Sequence, residues 1–406
     1  FTMEKLFKLK EHGTDVKTEI IAGITTFLAM AYILAVNPSY LGGIDGMSAG
    51  AVFSATAISA GIATLCMAFF ANYPVALASG MGLNAFFAFT VCGAMGYSYK
   101  VALTAVFIEG IIFMLLSLFK FREALVNKIP SNLKFAITAG IGLFIAIIAL
   151  LNANVVVASE STTVALGELS SPTVVLSLVG LLIIGALQHY KVPGGILLGI
   201  LITWVLGIIA QLVGWYVPNP EAGVYSVIPQ FSLSSFEAPK MFQFDFGFIA
   251  KNVPAFILIV FTFLYTDIFD TVGTLIGVAE KGKLLDKDGS LPNATGALMA
   301  DAVGTVVGAC LGTSTVTSYV ESSAGVAAGG RTGLTAVTTA VLFFISLIFA
   351  PIFTSIPSFA TTPAMLYVGL LMLSSIRQVK FDGDIADAIG AFLAIIMMPL
   401  TYSIAN

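Results

Sequence analysis

Four carboxylates, Asp267, Asp270, Asp301 and Glu321, lie within 55 residues of one another in segments that are otherwise apolar. An ionised acid at bilayer depth costs at least about 2.5–3.5 kcal/mol, so such residues line a pathway or a binding site. In FLYTDIFDTVGTLIG, Asp267, Asp270, Thr271 and Thr274 recur at i, i+3, i+4 and i+7 and share one helix face. Two carboxylates three residues apart in low dielectric cannot both ionise cheaply, and one is expected to hold a proton near neutral pH. The structural alternative is a pair of acids satisfied by Thr hydroxyls and helix ends. The chemistry on offer is proton exchange, together with hydrogen-bond acceptance from an uncharged ligand.

The neighbours of this face carry less. Asp301 precedes GTVVGACLG, where Gly304, Gly308 and Gly312 form a small-residue stripe suited to close helix packing. Asp301 either holds the acid face in place or is a solvated acid at the membrane rim. Glu109 is a fifth intramembrane acid and reads as a helix anchor. GMGLNA lacks the strand–turn–helix setting of a dinucleotide fold, and GGRTGLTA lacks the Lys of a phosphate loop.

Two stretches read as broken spans. YPVALASGMGLNAFFAFTV and VTSYVESSAGVAAGG each open on a β-rich piece, Pro74 to Ala78 and Val316 to Val320, before Ser and Gly and a short apolar helix. Each is either an extended segment followed by a half-helix or an ordinary short helix with small packing residues. In the first case the extended pieces would pair antiparallel, because unpaired backbone is costly in lipid. Glu321 falls at the second break and Asn84 just past the Gly pair of the first.

The elements that must position these residues are membrane helices. Only 10% of the 406 residues are charged, 58% are hydrophobic and mean hydropathy is +1.00; soluble domains carry roughly 25% charge. Cys66, Cys92 and Cys310 are too scattered for a disulfide framework. His12 and His189 lie near span ends, and no metal site or cofactor is expected. No cleavable leader is read in residues 1–19. Spans are expected at about 20–36, 49–70, 75–91, 100–119, 133–151, 172–189, 194–216, 252–275, 294–312, 316–329, 333–350, 363–377 and 385–405. Fifteen of eighteen basic residues then fall on the N-terminal side: Lys5, Lys8, Lys10, Lys17, Lys120, Arg122, Lys128, Lys134, Lys191, Lys281, Lys283, Lys287, Arg331, Arg377 and Lys380. Lys100, Lys240 and Lys251 fall opposite. That asymmetry predicts a cytoplasmic N-terminus in a multi-pass protein of the cell inner (plasma) membrane.

The chain also repeats itself. IPSNLKFAITAGIGL (129–143) resembles IPSFATTPAMLYVGL (356–370), and residues 57–82 resemble 300–325, with Gly61 over Gly304 and Gly82 over Gly325. The repeat offset is seven spans, an odd number, so the second unit is inverted, which is a transporter architecture. Span 7 has no partner within the chain, so a fourteenth span is expected in the natural protein; a thirteen-span protein is the alternative.

The blocks GMGLNAFFAF (80–89), TDIFDTVGT (266–274) and ADAVGTVVGACLGTSTVTSYVESSAGVAAGGRTGLTA (300–336) resemble the AzgA-like purine permeases of the nucleobase–cation symporter-2, or nucleobase–ascorbate transporter, superfamily. The resemblance covers essentially the whole chain. It implies an all-α polytopic membrane fold similar to the bacterial uracil permease, a 7+7 inverted repeat with two short β-containing broken spans. It implies core segments at 1–128 and 247–355, gate segments at 129–246 and 356–406, and a last span absent from this chain. It implies no enzyme but a secondary active transporter, a symporter that takes up adenine, guanine or hypoxanthine with protons by alternating access, often as a homodimer. By position, Asp267, Glu321 and Asn84 match binding residues, with Ser322 and Phe86 beside them, and Asp270 and Asp301 match acids needed for transport together with Asp267. The run Glu321-Ser322-Ser323-Ala324 departs from the Gln/Asn-x-Gly of the xanthine and uracil branches and favours the AzgA-like one.

The expected mechanism has a neutral purine entering between core and gate. Its ring N–H groups donate to Glu321 and Asp267, while Asn84 and backbone amides at the breaks complete the edge. Phe86, Phe87 or Phe89 stack on the ring or simply pack. Na⁺ is a less favoured coupling ion than H⁺, and no nucleic-acid partner is expected. The first rival is an anion carrier of the same fold, such as a sulfate transporter, which acids at the pocket oppose. A distant rival is an intramembrane aspartyl protease using Asp270 and Asp301, for which the Gly-x-Gly-Asp motif is missing. A channel suits a deep acid pocket less well than alternating access does.

Overall fold

The structure is a computed structural model that describes residues 2–119, 131–222, 224–229, 236–287 and 291–401. Lys120, Arg122 and Lys128, counted above for orientation, lie outside the described residues, as do the first two residues of the repeat at 129–130. In chain order the elements are α1 (Val16–Met30), α2 (Ile33–Leu41), α3 (Ala49–Phe70), β1 (Leu77–Ser79), α4 (Met81–Ala85) and α5 (Tyr99–Leu118). There follow α6 (Ser131–Asn152), β2 (Val156–Ser159), β3 (Thr163–Leu166), α7 (Pro172–His189) and α8 (Gly195–Leu212). The chain continues with α9 (Val253–Lys281), α10 (Ala294–Leu311), β4 (Val316–Ser318), α11 (Ser322–Ala327), α12 (Gly333–Ile345), α13 (Ser358–Leu373) and α14 (Ile385–Thr401).

Among the described residues, ten helical segments are long and apolar enough to cross a membrane, and Met81–Ala94 and Ile385–Thr401 are shorter apolar helices. The expected crossing at 316–329 is no such helix: it is β4 and the six-residue α11. The polar groups of its extended backbone must be satisfied elsewhere, and β1 does that. β1 and β4 pair antiparallel with Leu77 opposite Ser318, Ala78 opposite Thr317 and Ser79 opposite Val316. Tyr319 N donates to Ala76 O at 2.9 Å and Gly80 N to Thr315 O at 3.0 Å, extending the pairing at both ends. Both broken spans are therefore extended pieces followed by short helices. The first runs on from α4 as a π-helix over Phe86–Ala94, whose wider turn shows at its end in Met95 N bonding Thr90 O.

Helix starts are written locally. Asp15 caps α1 by accepting Thr18 N–H at 2.9 Å, Ser48 caps α3 and Thr332 caps α12. The chain forms two compact units. One comprises the described parts of Phe1–Pro130 and Phe236–Ala350. Its core gathers Leu77, Val316, Phe113, Ile268, Leu298 and Val326 from both strands and their flanking helices. The Gly stripe brings backbones close here. A Cβ on Gly304 would stand 2.7 Å from Ala63 Cβ, and one on Gly308 would stand 2.8 Å from Val316 Cγ2. The other unit comprises described parts of Ser131–Ser235 and Pro351–Ile404. There α6 and α13 touch backbone to backbone: a Cβ on Gly142 would meet Gly369 O at 2.7 Å, and one on Gly369 would meet Gly142 O at the same distance.

Candidate functional site

The acids converge within the first unit, on α9, α10 and the break after β4. Asp301 is fully buried, which removes the solvated-rim alternative. Its Oδ2 accepts Thr271 Oγ1 at 2.7 Å, Ser318 N at 3.0 Å and Ser318 Oγ at 3.1 Å. It thereby ties the acid helix to β4. Asp267, one turn from Thr271, is also fully buried. Only long hydroxyl contacts serve it, Thr271 Oγ1 at 3.2 Å and Thr305 Oγ1 at 3.3 Å, and Thr305 also donates to Val316 O at 2.9 Å. The ionisable groups facing Asp267 are all acids: Glu109 and Asp301 lie within hydrogen-bonding reach, and Asp270 acts on it through its charge. The fifth intramembrane acid is thus a member of the cluster.

Asp270 stands differently. It is exposed, and its Oδ2 accepts Thr317 Oγ1 at 3.0 Å from β4. Glu321, half-buried, closes the row: its Oε1 accepts the Tyr32 hydroxyl at 2.5 Å. Tyr32 sits where the first crossing helix bends between α1 and α2. Tyr319 stands in the field of both Asp270 and Glu321, and its hydroxyl donates to Ser79 O on β1. The arrangement is a graded row. Glu109, Asp267 and Asp301 form the closed end; Asp270 and Glu321 form the open end, framed by Tyr32, Tyr319 and Thr317.

The other expected residues are placed as follows. Asn84 is fully buried on α4, which packs against α2 and α9, and neither its Oδ1 nor its Nδ2 has a partner. A buried amide with both ends unpaired forgoes the hydrogen bonds that water would give it. Ser322 is fully buried, with its hydroxyl taken by Ala76 N–H at 3.0 Å, so it braces the two breaks against each other. The ring of Phe86 is fully buried edge-to-face on Phe263, centroids 5.0 Å apart, and Phe87 and Phe89 likewise pack on Phe263 and Tyr40. The backbone amides expected to read a ligand edge are largely occupied: those of Gly80, Ser318, Tyr319, Ser322 and Ser323 all donate within the protein.

Sequence reading passed over Tyr32, Tyr319, Thr317 and two further buried groups. Asn37 Nδ2 donates to Thr56 Oγ1 at 2.6 Å and Thr313 Oγ1 at 2.9 Å, and Thr313 meets Ser79 Oγ at 2.8 Å. Glu19 accepts from Thr14, the backbone N–H groups of Arg331 and Thr332, and the hydroxyls of Thr332 and Thr335. That carboxylate fastens the start of α12 to α1. The available signal was Tyr and Asn inside an otherwise apolar first span, AMAYILAVNPSY.

The same constellation can be set beside known proteins. Residues 17–406 match the Permease family. The chain is 43% identical over 405 residues to the adenine permease AdeQ of Escherichia coli, covering 100% of this chain and 88% of that one. It is 45% identical over 410 residues to the guanine/hypoxanthine permease PbuO of Bacillus subtilis, covering 99% and 91%. In fold it is similar to the transmembrane domain of a cyanobacterium bicarbonate transporter, BicA, with a TM-score of 0.72 at 16% identity over 96% of both chains. The paired breaks, the intramembrane acid row and these matches agree, and the chain belongs to the Permease family of nucleobase–cation symporter-2 proteins.

Proposed function

We propose that this multi-pass membrane protein takes up purine nucleobases, coupled to protons, by alternating access. The observation that carries the reading is the open end of the acid row. Asp270 and Glu321 offer carboxylate acceptors in one another's field, Glu321 held by Tyr32 and Asp270 by Thr317, with Tyr319 near both. A purine presents ring N–H donors and a flat apolar face, so it is matched by acceptors beside aromatic rings. An anion meets repulsion there. The relatives named as adenine and guanine/hypoxanthine permeases support the same substrate class. In this reading Asp270 and Glu321 face the ring, Asn84 supplies a donor and acceptor that nothing else uses, and Asp267 and Asp301 serve proton coupling behind them. Ser322 and Phe86 hold the shape of the pocket. The unit carrying the acids acts as the core and the other as the gate. The reading places the protein in the inner membrane, N-terminus in the cytoplasm, as a homodimer.

Uptake of radiolabelled adenine, guanine and hypoxanthine tests this in cells lacking their own purine carriers. Wild type accumulates label and Glu321→Ala does not. Unaltered uptake by that variant, or competition by sulfate but not by unlabelled purines, defeats the proposal.

A further inference from the structure

One buried group is left without a task by the transport reading. Glu109 sits in α5 with 0% exposure, and no amide, hydroxyl or amine reaches either of its oxygens. What does reach it is the carboxyl of Asp267. The titratable groups facing it are Asp267 on α9 and Asp301 on α10. Among the described residues the ion pairs are Lys8–Glu11 and Lys10–Glu4, so no cation compensates the cluster. Two carboxyls in contact away from water cannot both carry charge. A proton between them replaces repulsion with an O–H···O bond. An anchoring role alone would ask for a donor on Glu109, and none is present. From Asp267 the row leads to Asp270 and then to Glu321 at the open end.

Resting on the purine-uptake reading, we propose that Glu109 is the proton store of the transport cycle. While Asp270 and Glu321 hold substrate, Glu109 keeps the coupled proton; when the site empties, the proton passes from the Glu109 carboxyl oxygen to the Asp267 carboxylate. The negative charge moves the opposite way, so nothing else is consumed.

Glu109→Gln keeps the size and the hydrogen bond to Asp267 but cannot give up a proton. In proteoliposomes, exchange of labelled purine for unlabelled purine persists in this variant. Accumulation driven by an imposed proton gradient collapses. At a driving force of about 100 mV one coupled proton supports roughly fifty-fold accumulation, and that ratio falls to near one. Glu109→Asp retains gradient-driven accumulation. The wild type gives a readout that needs no variant: its infrared spectrum holds a protonated-carboxyl band that shifts on purine binding. Wild-type-like accumulation in Glu109→Gln, loss of exchange together with accumulation in folded protein, or an absent band shift each overturns the proposal. A wild type that moves no purine in either assay overturns the underlying uptake reading instead.

Discussion

The phenol of Tyr32 meets the carboxyl of Glu321 at 2.5 Å, joining the bend of the first crossing helix to the break of the second extended element. The two residues are 289 positions apart in the chain. The contact sets the direction of the Glu321 head, because Tyr32 is itself buried and cannot swing away.

Tyr32→Phe removes that donor without changing the packing shape. Hydrogen bonds to charged groups contribute about 1.5–3 kcal/mol, so the apparent affinity for purine falls roughly ten- to a hundred-fold. Concentration dependence of uptake measures it, and an unchanged half-saturation concentration refutes it.

Asp301 separates positioning from charge. Asp301→Ala strands the amide and the hydroxyl of Ser318 in a dry site, leaves Thr271 only its long contact to Asp267, and lowers stability by about 3 kcal/mol. Asp301→Asn can keep its carbonyl on Ser318 N–H, so it melts near the wild-type temperature while gradient-driven uptake is lost. Thermal unfolding in detergent and uptake in vesicles read the two effects separately.

Glycine positions near the site divide sharply. A Cβ on Gly325 would lie 1.9 Å from Thr26 Oγ1 and 2.7 Å from Ala22 O, so Gly325→Ala forces α11 off α1 and costs on the order of 1–3 kcal/mol. A Cβ on Gly273 meets nothing within 4 Å. Gly273→Ala therefore gains about 0.5–1 kcal/mol of helix stability. Paired melting curves decide both.

At the start of α1, hydrogen bonds from Thr18 hold the Asp15 carboxyl below its ordinary value of 3.8. The native state then binds this proton less readily than the unfolded chain. Its stabilising effect is present above about pH 4 and is lost as pH falls through the lowered native value. The melting temperature of the wild type drops more steeply on acidification below pH 4 than that of Asp15→Asn. Identical slopes contradict this.

Much of the architecture was legible because lipid admits few solutions. Apolar run length placed α3, α7 and α10 almost to the residue, while the β-rich runs before Ser and Gly allowed either short helices or paired strands, and the β1–β4 pairing decides for strands. Helix periodicity put Asp267 and Asp270 on one face, yet it could not rank their depth. That order depends on which neighbours close over each residue: α5 and α10 bury Asp267, while Asp270 stays open beside Thr317. The place of Glu109 was illegible for the same reason, since its partner is 158 residues away on another helix. Tyr32 reads as an ordinary aromatic until the bend at its position brings it to Glu321.

Pairing β1 with β4 also orders events during synthesis. A ribosome that has delivered residues up to α9 has already committed Leu77–Ser79 to the bilayer, while the strand that satisfies it is still unmade. Until Val316–Ser318 emerges, those amides must be sheltered by water or by the insertion machinery. Insertion of this chain therefore includes an interval in which one strand waits, unpaired, for a partner more than two hundred residues downstream.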